Sequence, residues 1–299
     1  MRRILVLILT LVATAAAAVP TVAADEAVQA SSPSPTPPGS TLPTYLKDRG
    51  TGLPTTLFGT YIRGGDWIIY PFFEYYRDQN REYKPSELGF EGEQDYRGRY
   101  RASEGLLYLG YGVTDDLALE FEAAVIRATL EKSPEDASAM PATLEASGLG
   151  DIDAHLLWRW RRETEDRPEL YSFVKVAFPR RGADPLIGTP DWELGLGTGL
   201  IRGFGWGTVT VRAAIEYAPG SSSEFDIGEY AVEYLKRLSP KWRLYAAVEG
   251  AQDEVSLITE VQWHLSSHVM LKLNSGFGLT SKATDWEPEV GILFRLPTR

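Results

Sequence analysis

From about Gly64 onward the chain repeats one unit, a run of roughly ten residues in which apolar and polar side chains alternate, followed by a turn or loop. "LALEFEAAVIR" sets Leu117, Leu119, Phe121, Ala123 and Val125 against Glu120, Glu122 and Ala124. "GTVTVRAAIEYA" sets Val209, Val211, Ala213, Ile215 and Tyr217 against Thr208, Thr210, Arg212 and Glu216. In "SGLGDIDAHLLWRW", Ile152, Ala154, Leu156, Trp158 and Trp160 share one face, and Asp151, Asp153, His155, Leu157 and Arg159 the other. A period of two belongs to a β-strand whose faces meet different surroundings. Counting the runs predicts an all-β chain of about twelve antiparallel strands in an up-and-down meander.

The connections between runs also alternate. "DQNREYKPSELGFEGEQDYRG", "ATLEKSPEDASAMPATLEASGLG" and "PRRGADPLIGTP" are long and polar, whereas "VTDD", "GFGWG", "SPK" and "SSH" are tight. The ninth join, "AQDE", is short where the pattern asks for a long one. Long loops at one end and short turns at the other are the signature of an outer-membrane β-barrel with both termini on the periplasmic side. A soluble sandwich gives no such bias. Aromatic residues gather at strand ends (Trp67, Tyr70, Trp158, Trp160, Trp192, Trp242 and Trp263), where an interfacial girdle would sit. Ordinary core packing is the alternative for them. On the barrel reading, Ile152 to Trp160 faces acyl chains, and Asp151, Asp153, His155 and Arg159 point into the lumen.

Composition sharpens this picture. The 299 residues are 43% hydrophobic, contain no cysteine, and carry a formal net charge of -11. Arg2 and Arg3 precede the apolar run "ILVLILTLVATAAAAV", and small residues then meet Asp25, which reads as a signal peptide over residues 1–24. Its removal would leave the chain still more acidic, which argues against a nucleic-acid partner. No later segment has the roughly 18 uninterrupted apolar residues of a membrane helix, so any crossing must use strands. "SSPSPTPPGSTLPT" lacks apolar periodicity, and residues 25–62 are expected to form a flexible periplasmic lead-in to a barrel over 63–299.

The strand "SGLGDIDAHLLWRW" and the hairpins "YGVTDDLALEFEA" and "YLKRLSPKWRLYAAVEG" resemble the outer-membrane transporter-like barrels grouped with the phenol-degradation meta-pathway proteins of Gram-negative bacteria. The resemblance covers most of residues 64–299. It implies a passive channel for small solutes, apolar or aromatic metabolites among them, embedded in outer-membrane lipids and inserted by the barrel assembly machinery. Barrels of this kind commonly end on an aromatic residue, whereas this chain ends "GILFRLPTR", so Phe294 would serve from inside.

Candidate chemistry is sparse, and neither an enzyme nor a cofactor is expected. His264 and Ser266 stand two apart in "WHLSSH", a spacing that places nucleophile and base on one strand face, as in outer-membrane lipid hydrolases. Serine is also a common turn former. Asp151, Asp153 and His155 suggest a metal site, yet alternate strand residues are separated by nearly 7 Å, too far for one ion to bond all three. A polar lumen lining is preferred, with Ca²⁺ held by added loop carboxylates as the alternative. Gly195, Gly197 and Gly199 share a strand face and should make room in the lumen or mark a bend.

Glu120, Glu122, Asp151 and Asp153, with His155 below them, are expected to crowd one wall of the extracellular mouth as a cation-preferring entrance. The alternative is neutralisation by Arg212, Lys272 or Arg295 from across the lumen. Against the channel stand two other classes, a lipid hydrolase using His264 and Ser266, and a soluble periplasmic β-rich binding protein.

Overall fold

The computed structural model describes residues 42–179, 184–189, 191–219 and 225–298. A 3₁₀ turn (Thr44–Leu46) leads into two short paired strands, β1 (Leu53–Pro54) and β2 (Tyr61–Ile62). Twelve longer strands follow: β3 (Asp66–Tyr83), β4 (Tyr96–Thr114), β5 (Leu117–Glu131), β6 (Thr143–Arg161), β7 (Glu169–Phe178), β8 (Glu193–Phe204), β9 (Gly207–Tyr217), β10 (Phe225–Arg237), β11 (Trp242–Ala251), β12 (Glu254–His264), β13 (Val269–Gly278) and β14 (Glu287–Pro297). Each pairs antiparallel with its sequence neighbours, and β14 returns to β3 to close a barrel. Closure pairs the backbone groups around the ring and leaves no sheet edge.

The sequence alternation becomes an inside and an outside. Along β5, Leu119, Phe121 and Val125 are exposed while Ala118, Glu120, Ala124 and Ala128 are buried. Along β9, Val211 and Ile215 face out and Thr208 and Thr210 face in. A soluble protein would keep most of its large apolar residues inside; here large apolar side chains such as Phe121, Val125, Ile215 and Val232 cover the outer surface, and charged groups such as Glu260 and Lys272 are enclosed. All eight tryptophans lie at or just beyond strand ends and are 39% to 57% exposed, which rules out core packing for them. Tyr70, grouped with them on sequence, instead lies fully buried in the lumen. It is out of phase with Trp67 by an odd number of residues, and so points to the other face.

One bulge corrects the register of the β5–β6 hairpin. Val125 pairs with Leu149 but Ala123 pairs with Ile152, so Gly150 and Asp151 together oppose Ala124. Outward residues are odd-numbered before the bulge, including Leu149, and even-numbered after it, including Ile152 and Trp158.

The lead-in expected to be flexible over 25–62 is packed chain from Leu42 onward. Leu53, Leu57, Tyr61 and Ile62 are buried inside the barrel against Ile68, Tyr108, Leu157 and Leu235. Burying one such Leu or Ile stabilises by about 1.5–3 kcal/mol, so the four together offset part of the segment's ordering entropy, and its polar contacts with the wall must offset the rest. The proline- and serine-rich stretch "SSPSPTPPGS" and the signal segment 1–24 lie outside the described residues. Two glycines permit the close approach of this inserted segment. A Cβ on Gly203 would run into the backbone of Tyr45, and one on Gly112 into the backbone of Arg63.

Gly197 and Gly199 make room that the barrel fills. They pair with Phe173 and Tyr171 across β7–β8, and a Cβ on either would strike the facing ring. The glycines thus let two aromatic rings lie flat along the lumen wall.

Candidate functional site

The inserted segment divides the lumen. Its 3₁₀ turn and the β1–β2 pair sit at the short-turn end: the Gly64 amide donates to Asp115 in the β4–β5 turn (3.1 Å), and the Arg237 amide at the end of β10 donates to Asp48 (2.8 Å). The tip between β1 and β2 reaches deepest. There the Thr56 amide and hydroxyl donate to Glu120 (3.1 and 2.5 Å), and the Phe58 carbonyl accepts from Gln262 and Lys272 (both 3.2 Å).

Buried ion pairs latch the segment to the wall. Arg49 Nη2 lies 3.0 Å from Glu163 and 2.9 Å from Glu169, and Arg159 reaches Glu169 (3.2 Å) and the Gly52 carbonyl (3.0 Å). Burial alone would lower the pKa of Arg49, but the two carboxylates outweigh it and the group stays charged.

Beyond the tip lies a cavity of about 370 Å³ whose wall carries Glu74, Glu122, Asp153, Glu249, Glu287 and Glu289 among its carboxylates. Lys175, Arg212 and Lys272 are its ammonium and guanidinium groups. Arg212 is held by Glu229 (2.7 Å), Glu233 (2.9 Å) and Glu249 (3.1 Å), Lys272 by Glu260 (3.2 Å), and Arg295 lies beside Asp66 (3.8 Å). The three cations that could have neutralised the β5–β6 carboxylates are therefore engaged elsewhere.

The sequence-predicted lumen residues separate into three settings. Glu122 and Asp153 are direct cross-strand partners and both line the cavity, a like-charge pair of the kind that destabilises a sheet unless a cation attends it. His155 lines the cavity beside them, paired across strands with Lys175. Glu120 is only 1% exposed, sealed beneath Thr56 with His155 Nδ1 3.7 Å away. Asp151 turns to the β7–β8 connection, where it accepts from the amide (2.6 Å) and hydroxyl (2.8 Å) of Thr189. Since β5 and β6 run on to Glu131 and Thr143, the Glu122–Asp153 pair stands midway along the strands and not at the mouth. The contribution of Glu74, Glu287 and Glu289 was not singled out on sequence. Their signal is the same alternation, which places Glu287 and Glu289 on one face of β14.

His264 ends β12 and Ser266 lies in the turn that follows. The Ser266 hydroxyl oxygen accepts from the amides of His268 and Val269 (both 3.1 Å), as a turn-forming serine does. His264 Nε2 is buried with no hydrogen-bond partner among the described residues.

No family model matches the sequence, and no curated protein matches it. Among solved structures, the fold is similar to that of an outer membrane channel from Pseudomonas putida F1, with a TM-score of 0.58 and 17% identity over 81% of this chain and 99% of that one. The translocator domain of the autotransporter NalP from Neisseria meningitidis (TM-score 0.48, 12% identity, 79% of this chain and 90% of that one) and the Ralstonia pickettii toluene transporter TbuX (0.42, 10%, 80% and 90%) are more distant barrels. The chain thus shares the closed antiparallel barrel of an outer-membrane channel.

Proposed function

We propose that the protein is an exported outer-membrane channel for the passive passage of small solutes, with a lumen that favours cations, and that it is not an enzyme. The observation that carries this reading is a closed barrel with an apolar, tryptophan-fringed exterior around a carboxylate-lined cavity of about 370 Å³. On this reading the short turns and the inserted segment face the periplasm and the long loops face outward. The likeness to an outer membrane channel supports the barrel, and the resemblance to phenol-pathway barrels supports apolar or aromatic metabolites as solutes. The turn role of Ser266 favours transport over lipid hydrolysis.

Conductance in planar bilayers tests the reading. Protein refolded into lipid should conduct, with a reversal potential in a salt gradient that favours cations. Glu122→Gln combined with Asp153→Asn should shift that potential toward anions, because the pair lines the cavity with no arginine bound to it among the described residues. An unchanged potential in a conducting double variant would make the two carboxylates internal struts, and a silent wild-type barrel would remove the channel altogether.

A further inference from the structure

At the short-turn end, on the opposite side of the inserted segment from the carboxylate cavity, a second cavity of about 370 Å³ has the reverse charge. Arg237, Arg243, Arg295 and His264 line it. Arg237 and Arg243 are direct partners across β10–β11, two like charges facing each other on the lumen side. Arg243 is only 9% exposed, its Nε is buried without a partner, and its side chain makes no hydrogen bond or ion pair among the described residues. Arg237 Nε and His264 Nε2 are likewise buried without a hydrogen-bond partner among the described residues, whereas Arg295 is turned toward Asp66 and the Tyr61 carbonyl.

The barrel treats its other enclosed arginines differently. Arg49 has two glutamates, Arg159 has Asp116 and Glu169, and Arg212 has three glutamates. The nearby buried carboxylate, Asp48, is occupied by Lys236 (3.5 Å) and the Arg237 amide. Leaving a guanidinium enclosed with no counter-charge is costly, and leaving two face to face costs more. The geometry points to an oxyanion as the missing partner, and we infer that this cavity binds a small organic carboxylate. A guanidinium presents parallel N–H donors that match a carboxylate's two oxygens. The buried Met270 and Leu293, with Tyr61, supply apolar wall for the body of such a ligand. The inference does not depend on whether the barrel conducts.

Calorimetric titration of the full-length protein in detergent provides the test, with benzoate, its neutral isostere benzamide, and inorganic phosphate as probes. Benzoate should bind, and benzamide should bind about tenfold more weakly or less, since removing the charge removes the partner of both arginines. Arg243→Gln should lower benzoate affinity by about tenfold or more, with heat-modifiable gel migration confirming that the variant is folded. Equal binding of benzoate and benzamide would overturn the inference, as would no binding of either. Phosphate binding in place of benzoate would overturn the assignment to a carboxylate. The wild-type comparison decides the matter even if the variant does not fold.

Discussion

Asp116, in the two-residue turn between β4 and β5, concentrates three guanidinium hydrogen bonds on one carboxylate. Arg159 Nε and Arg162 Nε both reach its Oδ1 (2.9 Å) and Arg162 Nη2 its Oδ2 (2.8 Å). Partial burial pushes its pKa up, but the two arginines outweigh this and hold it below the usual carboxylate range. A depressed pKa in the folded state gives a contribution that is complete above the unfolded value of about 3.9 and is lost as pH falls through the folded value. Asp116→Asn should therefore lower stability at neutral pH and leave it little changed at the most acid end, read as refolding titrations at several pH values. Parallel pH profiles for wild type and variant would remove the role. No sequence signal marks this residue above Asp115 beside it, because the choice depends on which carboxylate Arg159, near the end of β6, and Arg162, just past it, meet in space. For the same reason Asp151 and Asp153, equivalent in the alternation, separate once the bulge at Gly150 redirects one of them to Thr189.

At the scale of the strand, depth in the membrane separates residues that the alternation treats alike. Val211 lies at the middle of β9, whereas Leu119 is two residues from the turn that opens β5, and both are exposed on the outer face. Charged substitution on a lipid-facing strand costs about 2–4 kcal/mol at the midplane and about 0–1 kcal/mol near the interface. Val211→Arg should reach the upper range and Leu119→Arg the lower, while equal costs in refolding titrations would place both at one depth. Strands were legible because the inner and outer faces of a barrel in lipid meet different surroundings, so alternation persists along most of each strand and is broken at bulges such as the one at Gly150. The inserted segment was not legible, since β1 and β2 are two residues each, too short to show a period. Its proline- and serine-rich neighbour then set the expectation for the whole lead-in. The apolar residues of "GLPTTLFGTYI" were the available signal, and their meaning depended on a lumen whose facing walls come from β4, β6 and β10.

On the scale of the whole molecule, the lumen is polarised, with a carboxylate cavity toward the long loops, an arginine cavity toward the short turns, and residues 42–62 between them. A solute crossing the barrel must displace or pass that segment, so the contacts that hold it should govern conductance. Two substitutions loosen it by unrelated means. Arg49→Gln leaves Glu163 and Glu169 without their buried cation, a loss that removing one member of a buried pair puts at about 3–5 kcal/mol. Arg159 still attends Glu169, which places the change toward the lower end. Gly203→Val acts sterically, driving a side chain into the backbone of Tyr45. Each variant should conduct more than wild type in planar bilayers and should expose the chain before β3 to added protease, while heat-modifiable migration shows the barrel intact. A rise in only the Arg49 variant would point to the freed carboxylates rather than to displacement of the segment. Unchanged conductance in both, with the segment cleaved, would mean that solutes take a path that the segment does not obstruct.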